Sequence, residues 1–220
     1  MRFILLLLLL MVGGTALAWY SSQSLPNWYQ PESNQQQQLV DDLSQQINQQ
    51  GIKSFLGGKV SGVLKGQLEM SETEFNALMM ASLKSSEDGR LLLSVSDAIN
   101  VQLEHQELQL GVVVDLNKVA KLDAKAREAV NRLQEVLPFL SKAKLSLGVS
   151  GQPIARNGEI AFADDFSVRI GALPVSSSLL EQLGVSTHKV SQATLPIRYL
   201  KVKSINIEPD KIKLGVSPRF

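Results

Sequence analysis

INVQLEHQELQLGVVVDL, residues 99–116, alternates apolar and polar side chains on both sides of a short polar turn. Ile99, Val101 and Leu103 share one parity. Leu108, Leu110, Val112, Val114 and Leu116 share another, and Glu104 to Glu107 lie between the two sets. Side chains on an extended backbone point to opposite faces in turn, so this pattern predicts a hairpin or meander with one wet face. Its apolar face needs a cover. Just upstream, Ser71-Glu72-Thr73-Glu74 has the spacing of a capping box, in which the serine accepts from the N3 amide and the glutamate reaches back to the cap. The helix it starts carries Phe75, Leu78, Met79 and Leu83 on one face, and Asp88-Gly89 ends the segment. Leu91 to Val95 then reads as an apolar strand run.

Working outward, Leu39, Val40, Leu43 and Ile47 predict an amphipathic helix over 39–50 that stops at Gly51. Residues 57–70, GGKVSGVLKGQLEM, read as a glycine-broken strand in which Val60, Leu64 and Leu68 share a parity. Downstream, 123–141 is a second amphipathic helix. Asp123 is its cap, and Ala126, Val130, Leu133, Val136, Leu137 and Leu140 form its stripe, with Pro138 in the last turn. The final third returns to strands around Leu145–Val149, Ile160–Phe162, Phe166–Ile170, Leu195–Tyr199, Val202–Ile207 and Ile212–Val216. Asn157-Gly158 marks a tight hairpin turn, and a short helix falls near 177–183. Between Val202 and Ile205 the alternation slips in phase. Runs of strands separated by helices, without βαβ alternation, predict an α+β fold with an antiparallel sheet, one domain over 39–216.

The N-terminus bears on location. Arg2 precedes an apolar run from Phe3 to Val12, then Gly13-Gly14, Ala16, Ala18 and the pair Trp19-Tyr20. A cation, a leucine block and an Ala-x-Ala end describe a secretory signal. The same 3–20 stretch, uncharged and ending in aromatics, describes a membrane anchor. Residues 1–20 are therefore a signal peptide or an anchor. Both readings export the remainder to a periplasmic or extracytoplasmic space, attached to the inner membrane where 3–20 is kept. Residues 21–38, polar with two prolines and a glutamine run, read as a linker.

Composition narrows function. Twenty-two basic residues face 21 acidic ones, so there is no cationic excess to pair with nucleic acid. With zero cysteines, stability must come from a core rather than disulfides, and a lipobox cysteine is excluded. Aromatic content of 5% disfavours a sugar-stacking surface. His105 and His188 stand alone, no HExxH string occurs, and no metal site is expected. Gly148-Val149-Ser150-Gly151 lacks the spacing of a nucleophile elbow, and Gly57-Gly58-Lys59-Val60 lacks the glycine and hydroxyl of a phosphate loop. Asp41-Asp42 and Asp164-Asp165 are adjacent pairs, which point apart in a regular element. No catalytic residue and no cofactor is expected. What remains is aliphatic strand plus amphipathic helices, which serve equally as closed core or as the wall of an apolar groove.

MSETEFNALMMASL (70–83) resembles the capped helix of bacterial TULIP-like (tubular lipid-binding) exported proteins, the LmeA-like and YpmS-like families. LQEVLPFLS (133–141) and IGALPVSSSLLEQLG (170–184) resemble them too. The similarity covers the order of elements over roughly 40–216. It implies a long curved antiparallel sheet wrapped about helices, with an apolar groove for acyl chains and no catalytic motif. On that reading Phe75, Leu78, Met79, Met80, Leu83, Leu133, Leu137 and Leu140 are the groove candidates, and the ligand is a lipid or other amphiphile. The competing expectation is a non-enzymatic assembly factor that binds a protein partner along an exposed sheet edge.

Overall fold

The structure, a computed structural model, describes residues 25–26, 28–29, 34–51, 55–136, 144–176, 194–195, 197, 200–209 and 211–218. In chain order the elements are α1 (Asn34–Gln50), a 3-10 turn (Gly57–Lys59), α2 (Val60–Leu64), β1 (Gln67–Ser71), α3 (Glu72–Ser85) and α4 (Glu87–Val95). There follow β2 (Ser96–Glu104), β3 (Glu107–Asp115), α5 (Leu116–Val119), α6 (Ala124–Val136), β4 (Lys144–Gly151), β5 (Pro153–Arg156) and β6 (Glu159–Phe162). The chain ends through β7 (Ser167–Ile170), β8 (Leu173–Val175), β9 (Thr194–Leu195), β10 (Leu200–Glu208) and β11 (Lys211–Pro218). The fold is α+β, and every strand pairing among the described residues is antiparallel. The strands form sheets of order β1-β11-β10, β2-β3-β4-β7-β8 and β5-β6-β9. The second and third sheets' strands follow largely by hairpins, whereas β1 joins the last strand of the chain.

α3 begins as its sequence dictates. The Ser71 hydroxyl accepts from the Glu74 amide at 3.3 Å, and the Glu74 carboxylate accepts from the Ser71 amide at 2.8 Å. The helix is buried on all sides from Phe75 to Ser82, so a single apolar face understates it. α1 covers one side through Val40 and Ile47, and Lys84 reaches across from α3 to donate to Ser44 Oγ at 2.8 Å. Leu39, expected on the same face of α1, is 56% exposed. Beneath α3 the main core gathers Leu68 and Met70, Ile99 to Leu108, Ile160 and Phe162, and the inward residues of β10 and β11. A smaller apolar cluster of Leu116, Val130, Leu145 and Ile170 lies at the far end of the five-stranded sheet.

Three local expectations are corrected. Leu91 to Val95 is helix, not strand: Ser86 caps it by accepting from the Gly89 amide at 3.1 Å, and Asp88-Gly89 lies in its first turn instead of ending a segment. A side-chain cap outweighs the strand propensity of so short a run. Residues 57–64 are a 3-10 turn and a short helix rather than strand, and only Gln67–Ser71 is extended. α1 starts at Asn34, inside the stretch assigned to the linker. The helix expected at 177–183 lies outside the described residues, as do 1–24 and 137–143. The expected turns form at Asn157-Gly158 (φ 54° and 84°) and at His105-Gln106 (φ 50° and 68°). The phase slip near Lys203 is a bulge between Val202 and Ser204.

β2 is an edge strand, yet α3 closes its edge. Buried Asn76 accepts from the Val101 amide at 2.7 Å and donates to the Val101 carbonyl at 2.5 Å. One turn earlier the Glu72 carboxylate accepts from the Leu103 amide at 2.9 Å. Asn76→Ala orphans two buried backbone groups, so it should lower unfolding stability by roughly 2–4 kcal/mol. A urea midpoint that falls at constant slope would register it.

Candidate functional site

Of the groove candidates, Phe75, Leu78, Met79 and Met80 are buried within the main core, and Leu83 is half-buried against it. Their neighbours in that cluster come from α1, β1, β2, β10 and β11. The Leu133 side chain, Leu137 and Leu140 lie outside the described residues. Val130, a described member of the same stripe, sits in the smaller cluster, apart from α3. α6 is capped as expected, with Asp123 Oδ1 accepting from the Ala126 amide at 2.7 Å.

Strand register assembles a different apolar surface. Leu110 pairs with Val149, Val112 with Leu147, Val149 with Val168, and Val168 with Val175, so these six side chains occupy one face of the five-stranded sheet. All six are half-buried. Leu110, Val112 and Val149 pack at the rim of the main core, and Leu147 and Val175 at the rim of the smaller cluster. The strip thus bridges two dense clusters without being fully covered by either. At strand spacings near 4.8 Å it runs roughly 14 Å across β3, β4, β7 and β8. The sequence reading found these alternating strands but placed binding on the helices. Register between strands, which periodicity does not report, is what brings the six together.

Two rows on the reverse face of the same sheet are polar. Gln102, Gln109, Ser150 and Ser167 form one cross-strand row, in which Ser150 Oγ and Ser167 Oγ are hydrogen-bonded at 2.7 Å. Asn100, Gly111, Gly148 and Arg169 form the next.

Charged groups cluster at the sheet ends. Asp97 takes both Lys118 (2.8 Å) and Lys144 (2.7 Å). The Lys118 and Lys144 ammonium groups hold the Asp97 carboxyl below its ordinary value, and Asp97 in turn raises both lysines. Glu69 is lowered chiefly by Lys211 and Glu208 chiefly by Lys213, on the outer face of the β1-β11-β10 sheet. For Glu74 partial burial pushes upward most strongly, but the Lys59 ammonium and the Ser71 amide outweigh it, and the net shift is down. Each shift holds its group in the charged form at neutral pH, whereas a general acid or base needs a value near the working pH. Among the described residues no group of three or more His, Asp or Glu side chains could hold a metal ion. No helix among them is long and apolar enough to cross a membrane. No family model, no curated protein and no solved structure matches the chain.

The Asp97 pairing carries a pH signature. A carboxyl depressed in the folded state stabilises above its unfolded value, here near 3.8, and loses that contribution as pH falls through the lower folded value. The raised lysines stabilise fully below 10.5, and that contribution fades as pH rises above it. Asp97→Asn should therefore lower stability most between these limits and converge on the parent below the folded carboxyl value. Melting curves of both chains across pH 2–7 would show the convergence.

Proposed function

We propose that the chain is an exported, non-enzymatic binder of a lipid or similar amphiphile, whose hydrocarbon lies along the strip of Leu110, Val112, Leu147, Val149, Val168 and Val175. The single observation that carries this reading is that six aliphatic side chains on one sheet face stay half-buried between two closed clusters. Contiguous apolar surface left uncovered costs about 25 cal/mol per Å², so a protein that retains it gains by covering it with an apolar partner. The apolar run of residues 3–20 supports a site of action at or beyond a membrane. In this reading the sheet curves about the helical layer in the TULIP-like manner, and the buried residues of α3 are the scaffold behind the groove rather than its wall. Transfer or maintenance of envelope lipids is the role that such a binder would serve.

The alternative, a protein partner added to a sheet edge, must use an edge other than β2. Addition there would displace the Asn76 and Glu72 contacts to the Val101 and Leu103 backbone.

Binding of a fluorescent phospholipid to the detergent-purified full chain tests the proposal. Saturable binding is expected for the parent. Val149→Glu places a charge in the strip and should weaken binding at least tenfold, an effect of about 1.4 kcal/mol or more. Gln109→Glu, on the polar face, should leave it unchanged. A folded parent that binds no lipid, or equal losses from both variants, would retire the reading.

A further inference from the structure

Gly111 and Gly148 face each other across β3 and β4, with Asn100 and Arg169 completing their row on the polar face of the sheet. Two adjoining glycines strip the side chains from the middle of a four-strand row and leave a notch. Half of it is filled. A Cβ on Gly111 would fall 2.5 Å from Cζ2 and 3.1 Å from Nε1 of Trp28, so the indole occupies the space a side chain would need. Over Gly148 the nearest atom to such a Cβ is Arg169 Cβ at 3.7 Å. That open half contributes to a cavity of about 90 Å³ edged by Pro26, Trp28, Asn100, Gln109, Ser150 and Arg169.

The residues beside Trp28 are fixed as well. Lys144 Nζ donates to Tyr29 Oη at 3.1 Å and lies 5.7 Å from the ring centroid, while Asp97 holds the same ammonium. The Tyr29 amide donates to the Pro26 carbonyl at 2.8 Å, closing a turn. The two rings meet edge to face at 6.4 Å. Val113 and Ser146, next along the same sheet face, are 0% and 7% exposed, so this face is not a bare solvent surface.

We propose that Pro26, Trp28 and Tyr29 form a latch, docking the chain's own N-terminal stretch in the Gly111–Gly148 notch. Its effect is on reach. At about 3.5 Å per extended residue, the chain from Tyr20 spans at most roughly 28 Å to Trp28 but roughly 49 Å to the start of α1. With residues 3–20 kept as an anchor, the latch cuts the height at which the domain can stand by about two fifths. It also turns one chosen face of the five-stranded sheet toward the bilayer. Because the notch is on the polar face, the latch leaves the aliphatic strip on the opposite face unobstructed.

The absence of cysteine makes the test clean. In a full-length W19F background in detergent micelles, N100C is labelled with bimane, which tryptophan quenches on contact. The label should be dim, and W28F should brighten it severalfold. Equal brightness with and without W28F overturns the latch. Adding unlabelled W19F chain to labelled N100C/W28F chain should change nothing. Quenching on mixing would mean that the indole comes from a second copy, which overturns docking within one chain. Independently, G111V in the W19F background should shift Trp28 emission to the red and raise its quenching by acrylamide severalfold, with circular dichroism reporting the fold. A folded G111V chain with unchanged emission overturns the proposal, and where G111V does not fold the bimane result decides.

Discussion

One carboxamide sets how the helical layer meets the large sheet. Asn76 is 4% exposed and answers both the amide and the carbonyl of Val101, while its remaining hydrogen reaches the Glu72 carbonyl at 3.2 Å. It acts as one residue of a missing neighbouring strand, delivered by a helix. Leaving a strand edge open invites pairing with another chain, and burying it unpaired costs desolvation without return. The Asn76 pairing avoids both, and with Glu72 on Leu103 it allows α3 only one register against β2. A shift of α3 along β2 by a single residue would break all three bonds to the Val101 and Leu103 backbone. From that position α1 can reach over α3, and the core beneath it takes its present shape.

The demands of backbone chemistry were the legible part of the fold. The Ser71–Glu74 box, the Asp123 cap, the Asn157-Gly158 turn and the pairing of 99–103 with 108–112 each reflect a local physical requirement, and the structure meets each one; beyond them Val113, on the face expected to be wet, is fully buried, and Leu116 starts α5 instead of ending the strand. The misreadings occur where two local signals compete. Leu91-Leu92-Leu93 suits strand or helix equally, and the deciding bond from Ser86 comes from a residue assigned to the preceding segment. Likewise Val60 and Leu64 share strand parity but are also one helical turn apart. In sequence alone, Asn76 is inconspicuous because an asparagine inside a helix reads as a mild propensity cost. Its value is visible only once β2 is beside it.

The apolar strip was hidden for a related reason. Leu110, Val112 and Val149 carry the same pattern as Leu103 and Leu108, yet the latter are buried and the former half-buried. Alternation says which face a side chain points to, not what lies on that face. The difference arises because α3 and the small β10–β11 sheet cover one end of the large sheet, while α5 and α6 gather a separate cluster at the other. Met79 and Phe75, conspicuous in sequence, are conspicuous because core positions demand large side chains.

The pairing of β1 with β11 bears on assembly. Among the described residues, Gln67 to Ser71 find their strand partners in Lys211 to Gly215, late in the chain. A chain made or threaded from its N-terminus can close the β5–β6 hairpin as soon as that hairpin emerges. The capped helix α3, which follows β1 directly, can pack on α1 early, but the β1–β11 side of its core closes only when β11 arrives. Loop-closure entropy makes such long-range pairing late, and cooperative folding is deferred with it. The core beneath α3 therefore closes after the local hairpins, because its last contributions come from β11.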